Sequence, residues 1–302
     1  IKMIKRLVHI GFPKTATTWL QEEFFPRVKN INYIDKHIVN ELFANPDAFS
    51  FSAANVAQRL EKLDMQGGFL MSSELLVGTM NRGWLRGFWP TQNAQRIKEC
   101  IPNAQIIIFL RNQPDLIASA YLQYVKNGGN YSVSRYLNSS NYNLFSFDHL
   151  NFLNIVGLYV SLFGKENVHV YLYEDFVANK QEFLQQFCSE FDLDVDFSNV
   201  NLEPINTGLR VGLVLPKRIA NAFYYKMFPF KHYLFPIYKW NVIQSFVFDY
   251  LNRLSIFGKR PKSKDLLGQK NYEFILNYYK ESNRALMEQF GLHAMSRYNY
   301  PL

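Results

Sequence analysis

Hydrophobic and polar positions follow two rhythms along the chain. Short unbroken apolar runs recur as IKRLVHIG at 4–11, INYI at 31–34, FLMSS at 69–73, QIIIFL at 105–110 and NVHVYLY at 167–173. Such runs, rich in β-branched side chains, predict buried strands. Between them, apolar residues return every three or four positions at 53–63, 92–100, 114–126 and 150–163, which predicts helices. TATTWLQEEFF, directly after the first run, predicts a further helix with early acids and an apolar face. Strands this apolar need cover on both faces, and alternating helices supply it. The pattern therefore predicts an α/β fold of three layers around a central parallel sheet.

From about 210 to 262 the pattern changes. This stretch is aromatic and basic with scattered prolines, and it ends in the charged loop GKRPKSK. Tyr224, Tyr225, Phe228, Phe230, Tyr233, Phe235, Tyr238 and Trp240 crowd together there among lysines. Most such aromatics read as helix core; an outward-facing subset would suit an acceptor or an anionic membrane surface. A last helix over 266–290 places Ile275, Tyr279, Leu286 and Phe290 at near-helical spacing. No internal repeat or low-complexity linker interrupts the chain. Residues 1–302 are thus expected to form a single domain with a helical subregion at 210–262.

Composition adds little to the fold and more to the partners. Apolar residues make up 48% and charged residues 19%, an ordinary globular balance. The 33 Lys and Arg against 25 Asp and Glu leave +8. That charge favours an anionic partner, whether nucleotide, sulfated glycan, nucleic acid or membrane surface. No nucleic-acid motif accompanies it, so those cations read as a solvated face and no nucleic acid is expected. Cys100 and Cys188 have neither CxxC nor Cys/His spacing, so no disulfide or metal is expected. No apolar run reaches the roughly 18–20 residues of a membrane span. The sequence enters a strand at once without a signal peptide, which predicts a cytoplasmic protein.

The most informative segment is HIGFPKTATTWLQ, from His9 to Gln21. A strand leads into a short turn holding Gly11, Pro13, Lys14, Thr15 and Ala16, and a helix follows. Unpaired N–H groups and the dipole at a helix N-terminus favour phosphate. Thr17 and Thr18 add hydroxyl donors and Lys14 a full charge. A Walker A loop requires Gly-Lys directly before Ser or Thr, and here Ala16 and Thr17 stand in those places. That argues against a nucleotide or nucleoside kinase, the enzymatic alternative. A second segment follows QIIIFL: Arg111 and Asn112, then a helix opening near Pro114 with Asp115, Ser119 and Tyr121 along it. Arg111 at a strand's carboxyl end faces the crevice where open parallel sheets bind ligands. With Ser119 it makes a second phosphate clamp. Two clamps imply a ligand phosphorylated at two separated positions.

FPKTATTW resembles the 5′-phosphosulfate loop of the sulfotransferases that use 3′-phosphoadenosine 5′-phosphosulfate (PAPS), whose cytosolic members carry PKSGTTW. RNxxDxxxSxY, from Arg111 to Tyr121, is similar to their 3′-phosphate motif, with the same eight-residue step from Arg111 to Ser119. YED at 173–175 resembles the strand end that touches adenine in some members. The run from Tyr279 to Pro301 looks like the ending of bacterial members. The likeness covers about 1–30, 68–76, 104–126, 166–180 and 272–302. It implies a P-loop nucleotide-kinase-like sulfotransferase fold with a five-stranded parallel sheet, PAPS as cofactor, 3′-phosphoadenosine 5′-phosphate (PAP) as product, and no metal. It also implies that Pro13, Lys14, Thr15, Ala16, Thr17 and Thr18 hold the 5′-phosphosulfate. Trp19 would stack on adenine, Tyr173 would border it, and Arg111 and Ser119 would hold the 3′-phosphate. Ala16 stands where Gly is usual, and its methyl is expected to fit only at negative φ. No clear C-terminal RKG motif is present; NTGLR, with Thr207, Gly208 and Arg210, is the candidate cofactor lid.

Sulfuryl transfer needs charge on the leaving oxygen stabilised and a base for the acceptor hydroxyl. Lys14 suits the first task. MSSELL resembles the carboxylate-bearing element of bacterial and carbohydrate sulfotransferases, which makes Glu74 the expected base. His9, in a core strand, reads as a buried imidazole and only secondarily as a catalyst. A Glu base leans toward a carbohydrate or glycolipid acceptor by family analogy. The remaining alternative is a non-catalytic binder of anionic glycan or membrane surface.

Overall fold

The structure is a computed structural model, described here for residues 5–64, 68–78, 88–138, 144–203, 208–223, 234–235, 237 and 239–302. Among these residues, five parallel strands form one sheet in the order β2-β3-β1-β4-β5. They are β1 (Lys5–His9), β2 (Asn32–Ile34), β3 (Gly68–Ser72), β4 (Gln105–Leu110) and β5 (Val168–Leu172). All five coincide with the predicted apolar runs. β1 lies at the centre, with His9 opposite Ser72 on one side and Ile107 on the other. The carboxyl ends of β3, β1 and β4 therefore emerge side by side.

Helix α1 starts at Thr17–Trp19 and runs on as a π-helical turn over Leu20–Phe24. It is followed by α2 (Lys36–Val39), α3 (Ala53–Leu63), α4 (Phe88–Cys100), α5 (Gln113–Lys126), α6 (Val133–Leu137) and α7 (Phe152–Phe163). Then come α8 (Tyr173–Ala178), α9 (Lys180–Phe191), α10 (Val211–Asn221), α11 (Trp240–Leu251), α12 (Ser263–Leu267) and α13 (Gln269–Phe290). Two predictions are corrected. The helix expected over 266–290 is split at Gly268, whose φ of +78° ends α12 before α13 begins. The YED segment does not end a strand: Tyr173 opens α8, with Glu174 and Asp175 in its first turn, where the dipole favours acids.

Alternating side chains build the layers. Val8, Met71, Ile106 and Ile108 face a core closed by α4, α5, α7 and α13 through Ile97, Ile117, Val156 and Ile275. Leu7, Leu70, Ile107 and Phe109 face the opposite way, onto Trp19, Leu20 and Phe24 of α1 and Leu184, Phe187 and Phe191 of α9. Each such side chain contributes roughly 1.5–3 kcal/mol by leaving water. That double cover is why these strands read as unbroken apolar runs.

The 210–262 subregion attaches to α5. α10 turns Leu213, Val214, Lys217 and Asn221 inward, and the Asn221 amide donates to the carbonyls of Val125 at 2.8 Å and Gly129 at 2.7 Å. The Trp240 indole donates to the Ala220 carbonyl at 2.8 Å, tying α11 to α10. Of the predicted aromatic crowd, Phe235 and Trp240 are described. Tyr224, Tyr225, Phe228, Phe230, Tyr233 and Tyr238 lie outside the described residues, as does Thr207.

Candidate active site

The turn after β1 has an unusual backbone. Gly11 has φ of +40°, Lys14 +71° and Ala16 +63°, with Ala16 at the N-cap of α1. The alternation of φ sign from Lys14 to Ala16 is the backbone pattern from which nests of N–H groups are built. The expectation that Ala16 requires negative φ is corrected: it sits in the left-handed region, where a non-glycine residue costs about 1–2 kcal/mol. Gly11 is required sterically. A Cβ there would meet His9 Cε1 and Thr17 Oγ1 at 3.0 Å.

The hydroxyls of the turn mostly face inward. Thr15 and Thr17 are buried and both donate to the Phe12 carbonyl, at 2.5 and 3.1 Å. They brace the turn; Pro13 and Thr18 are half-buried beside them. Lys14 donates to Gln123 Oε1 at 2.6 Å. Burial lowers its pKa, Glu74 pulls the other way, and Lys126 and Arg111 add to the lowering. Lys14 and Glu74 thus share one electrostatic neighbourhood despite the sixty residues between them.

Arg111, directly after β4, donates through Nη1 to the Lys14 carbonyl at 2.9 Å. Its guanidinium carbon lies 4.7 Å from the centre of the Tyr173 ring, which follows β5. Arg111 therefore links the ends of three strands. The next residue, Asn112, caps α5 by accepting from the Asp115 N–H at 3.2 Å. Asp115, Ser119 and Gln123 follow at four-residue steps on one face of α5. Ser119 and Tyr173 are half-buried, and Asp115 is exposed. Gln123 was missed by sequence reasoning, although the step from Ser119 to Gln123 carried the signal.

Glu74 opens a 3₁₀ turn (Glu74–Val77) at the end of β3, and Ser73 caps it by accepting from the Leu75 N–H at 3.1 Å. It is half-buried. His9 lies beneath the turn, fully buried between Phe25 and Phe109. Its Nδ1 shares a hydrogen bond with Ser72 Oγ at 2.8 Å, and its Nε2 has no partner. Burial pushes its pKa down to about 3, so the imidazole is neutral and shielded from solvent.

Two predicted site residues are employed elsewhere. Arg210 donates to the carbonyls of Asn252 at 2.8 Å and Gly258 at 2.6 Å, pinning the loop after α11 to the start of α10. Those bonds make it a strut of the subregion, and the lid expected of it finds no support in this geometry. Trp19 is 4% exposed, stacked on Phe24, with its indole donating to the Asn201 carbonyl at 2.9 Å. Its ring fills the core beside α8 and offers an adenine little more than its rim.

A left-handed turn at a helix start and an Arg on the neighbouring strand end thus meet at the carboxyl edge of an α/β sheet, where strand order reverses and open parallel sheets place their crevice. Residues 75–197 match the model of the sulfotransferase family. By sequence, no curated protein matches the chain. By structure it is similar to a sulfotransferase from Alicyclobacillus acidocaldarius, 18% identical over 66% of this chain and 87% of that one, with a TM-score of 0.47. It is also similar to the mouse sulfotransferase SULT7A1 complexed with PAP, 14% identical over 97% of this chain and 88% of that one, with a TM-score of 0.46.

Proposed function

We propose that this chain transfers sulfate from PAPS to a hydroxyl on a carbohydrate or glycolipid, with Glu74 as the base. The observation that carries the reading is the convergence of Lys14, Glu74 and Arg111 on three adjacent strand ends. The donor set fits the cofactor: a nest of N–H groups, two cations and a half-buried Ser119 suit a ligand with two separated anionic groups. PAPS, when bound, supplies the activated sulfuryl group and leaves as PAP.

Each residue's part follows from its place. The turn from Pro13 to Thr18 and the Lys14 ammonium hold the 5′ side. Arg111 and Ser119 hold the 3′-phosphate, with the Tyr173 ring bordering the base. Gln123 keeps the Lys14 ammonium in a fixed position in the free protein. Glu74 accepts the proton of the acceptor hydroxyl at its carboxylate. Neutral, buried His9 has no route to that proton.

Calorimetry with PAP and a sulfate-transfer assay on glycan, glycolipid and phenol panels test the reading. Arg111→Ala is expected to weaken PAP binding by ~1.5–3 kcal/mol while leaving a 3′-dephosphorylated analogue nearly unaffected. Glu74→Gln is expected to bind PAP normally while kcat falls ~10²–10⁴-fold. Equal losses for both ligands would remove the 3′-phosphate assignment, and retained turnover in Glu74→Gln would remove the base.

A further inference from the structure

The outer side of the 210–262 subregion is apolar where a soluble surface should be polar. α10 exposes Val211, Leu215 and Ile219 at four-residue steps, opposite the side that packs on α5. α11 exposes Val242, Phe246 and Tyr250, likewise one turn apart, and Phe246 is 78% exposed. Leu234 and Phe235, also exposed, precede α11. Isolated apolar residues on a surface are ordinary, but two helical stripes from adjoining helices are a face built to be covered.

Charge identifies the cover. Residues 210–262 contain ten Lys and Arg and a single acid, Asp249, so the whole excess of +8 resides there and the remainder is close to neutral. Lys239 caps the start of α11, and Arg253 stands two residues past its end; both are exposed. Exposed Lys259, Arg260 and Lys262 lie in the loop that Arg210 holds to the start of α10, where the Val211 N–H donates to the Lys259 carbonyl at 3.1 Å. An apolar face flanked by cations matches the boundary of a bilayer with anionic lipid. A second copy of the chain fits poorly, because a two-fold contact would set two strongly basic segments against each other.

We infer that the outer faces of α10 and α11 dock this protein on an anionic lipid bilayer. α10 separates that face from α5, the helix carrying Ser119 and Gln123, so the crevice stands about one helix diameter, ~10 Å, from the lipid surface. An acceptor carried on a lipid headgroup would then meet the crevice without leaving the bilayer. That last step rests on the sulfotransferase reading; the docking does not.

Flotation with vesicles of phosphatidylcholine alone and of phosphatidylcholine with phosphatidylglycerol tests the docking without any transfer chemistry. The protein is expected to float with the anionic vesicles at low salt and to be released as salt rises. Paired Lys259→Glu and Arg260→Glu substitutions are expected to lower partitioning at least about fivefold. Leu215→Ser with Phe246→Ser is expected to lower it comparably while PAP affinity and the circular dichroism spectrum stay unchanged. Absence of flotation with anionic vesicles overturns the proposal, as does flotation indifferent to these substitutions. Sedimentation showing a dimer that Leu215→Ser and Phe246→Ser dissociate would assign the face to a second copy instead. Flotation that succeeds while sulfate transfer fails leaves the docking standing and removes the catalytic reading alone.

Discussion

The sheet and the α10–α11 pair use the same kinds of side chain to opposite ends. In β4, Ile106, Ile107, Ile108, Phe109 and Leu110 all lie within 1% of complete burial. In α11 the buried residue is Gln244, while Phe246, two residues on and on the opposite side of the helix, faces out. Apolar periodicity marks where a stripe runs along an element. What the stripe meets is decided by whether another element is within reach. β4 has helices on both sides; α11 has α10 on one side and nothing described on the other.

The largest expected effect lies on the covered side of that contrast. Phe109→Ala removes a ring packed against Tyr171, Phe183 and His9, and should destabilise the protein by ~3–5 kcal/mol in urea unfolding. A loss below about 1 kcal/mol would mean that this layer repacks freely, and the comparison would fail.

Acid should weaken the sheet next. Burial pushes His9 down to about 3 and His149 to about 4, from 6.5 in the unfolded chain. Between those values the unfolded chain binds more protons, so stability is full above pH 6.5 and is lost as pH falls toward 3 or 4. Each imidazole contributes a slope of up to ~1.4 kcal/mol per pH unit. Unfolding free energies measured from pH 7 to 4.5 should show the decline, and hydrogen exchange should place it in β1 and β4 before α11.

A smaller effect belongs to the junction between the two regions. Lys217 is buried on the inward side of α10, its ammonium 4.7 Å from the centre of the Phe248 ring. It borders a pocket of about 300 Å³ that also meets Gln244 and Asn127. Burial lowers its pKa to about 8, opposed by Asp249 and assisted by Lys126. Because the folded value lies below the unfolded one, the charged lysine destabilises the fold below pH 8, and stability rises between about 8 and 10.5. Lys217→Met should stabilise the protein at pH 7 by ~1–3 kcal/mol, with the gain shrinking across that window. Smallest of all, Phe246→Ser should change stability by no more than about 0.5 kcal/mol, since the ring leaves no core contact behind.

Much of this architecture was readable in advance because its signals are local. The five strands declared themselves as double-covered apolar runs, and the turn from Gly11 to Thr18 announced a strand-to-helix junction through its small and hydroxyl residues. What escaped was set by three-dimensional competition. Thr15 and Thr17 carry donors that any reader would aim at phosphate, yet the Phe12 carbonyl accepts both. Arg210 looks free in sequence, but the carbonyls of Asn252 and Gly258 engage its guanidinium. Ala16 reads as a φ-negative residue on intrinsic preference, and the nest overrides that preference. The split at Gly268 was legible as a glycine inside a helical pattern, but the apolar spacing on either side concealed it.

The clamp around Asn112 carries a consequence for how the molecule assembles. The Asn112 amide donates to the carbonyls of Tyr298 at 2.9 Å and Asn299, and Glu174 accepts from both the Asn112 N–H and the Tyr300 hydroxyl, each at 2.9 Å. Asn283 in turn holds Gln113 and the Pro301 carbonyl. The ends of β4 and β5 are therefore fastened by residues translated much later, 186 positions on for Asn112 and Tyr298 and 126 for Glu174 and Tyr300. Closing so long a loop is entropically unfavourable and must precede the contacts that reward it. During synthesis β4 and β5 emerge early but wait for this clamp, so the carboxyl edge of the sheet should be completed late. A nascent chain stalled before residue 298 should already show helix and strand and, on the proposed reading, fail to retain PAP.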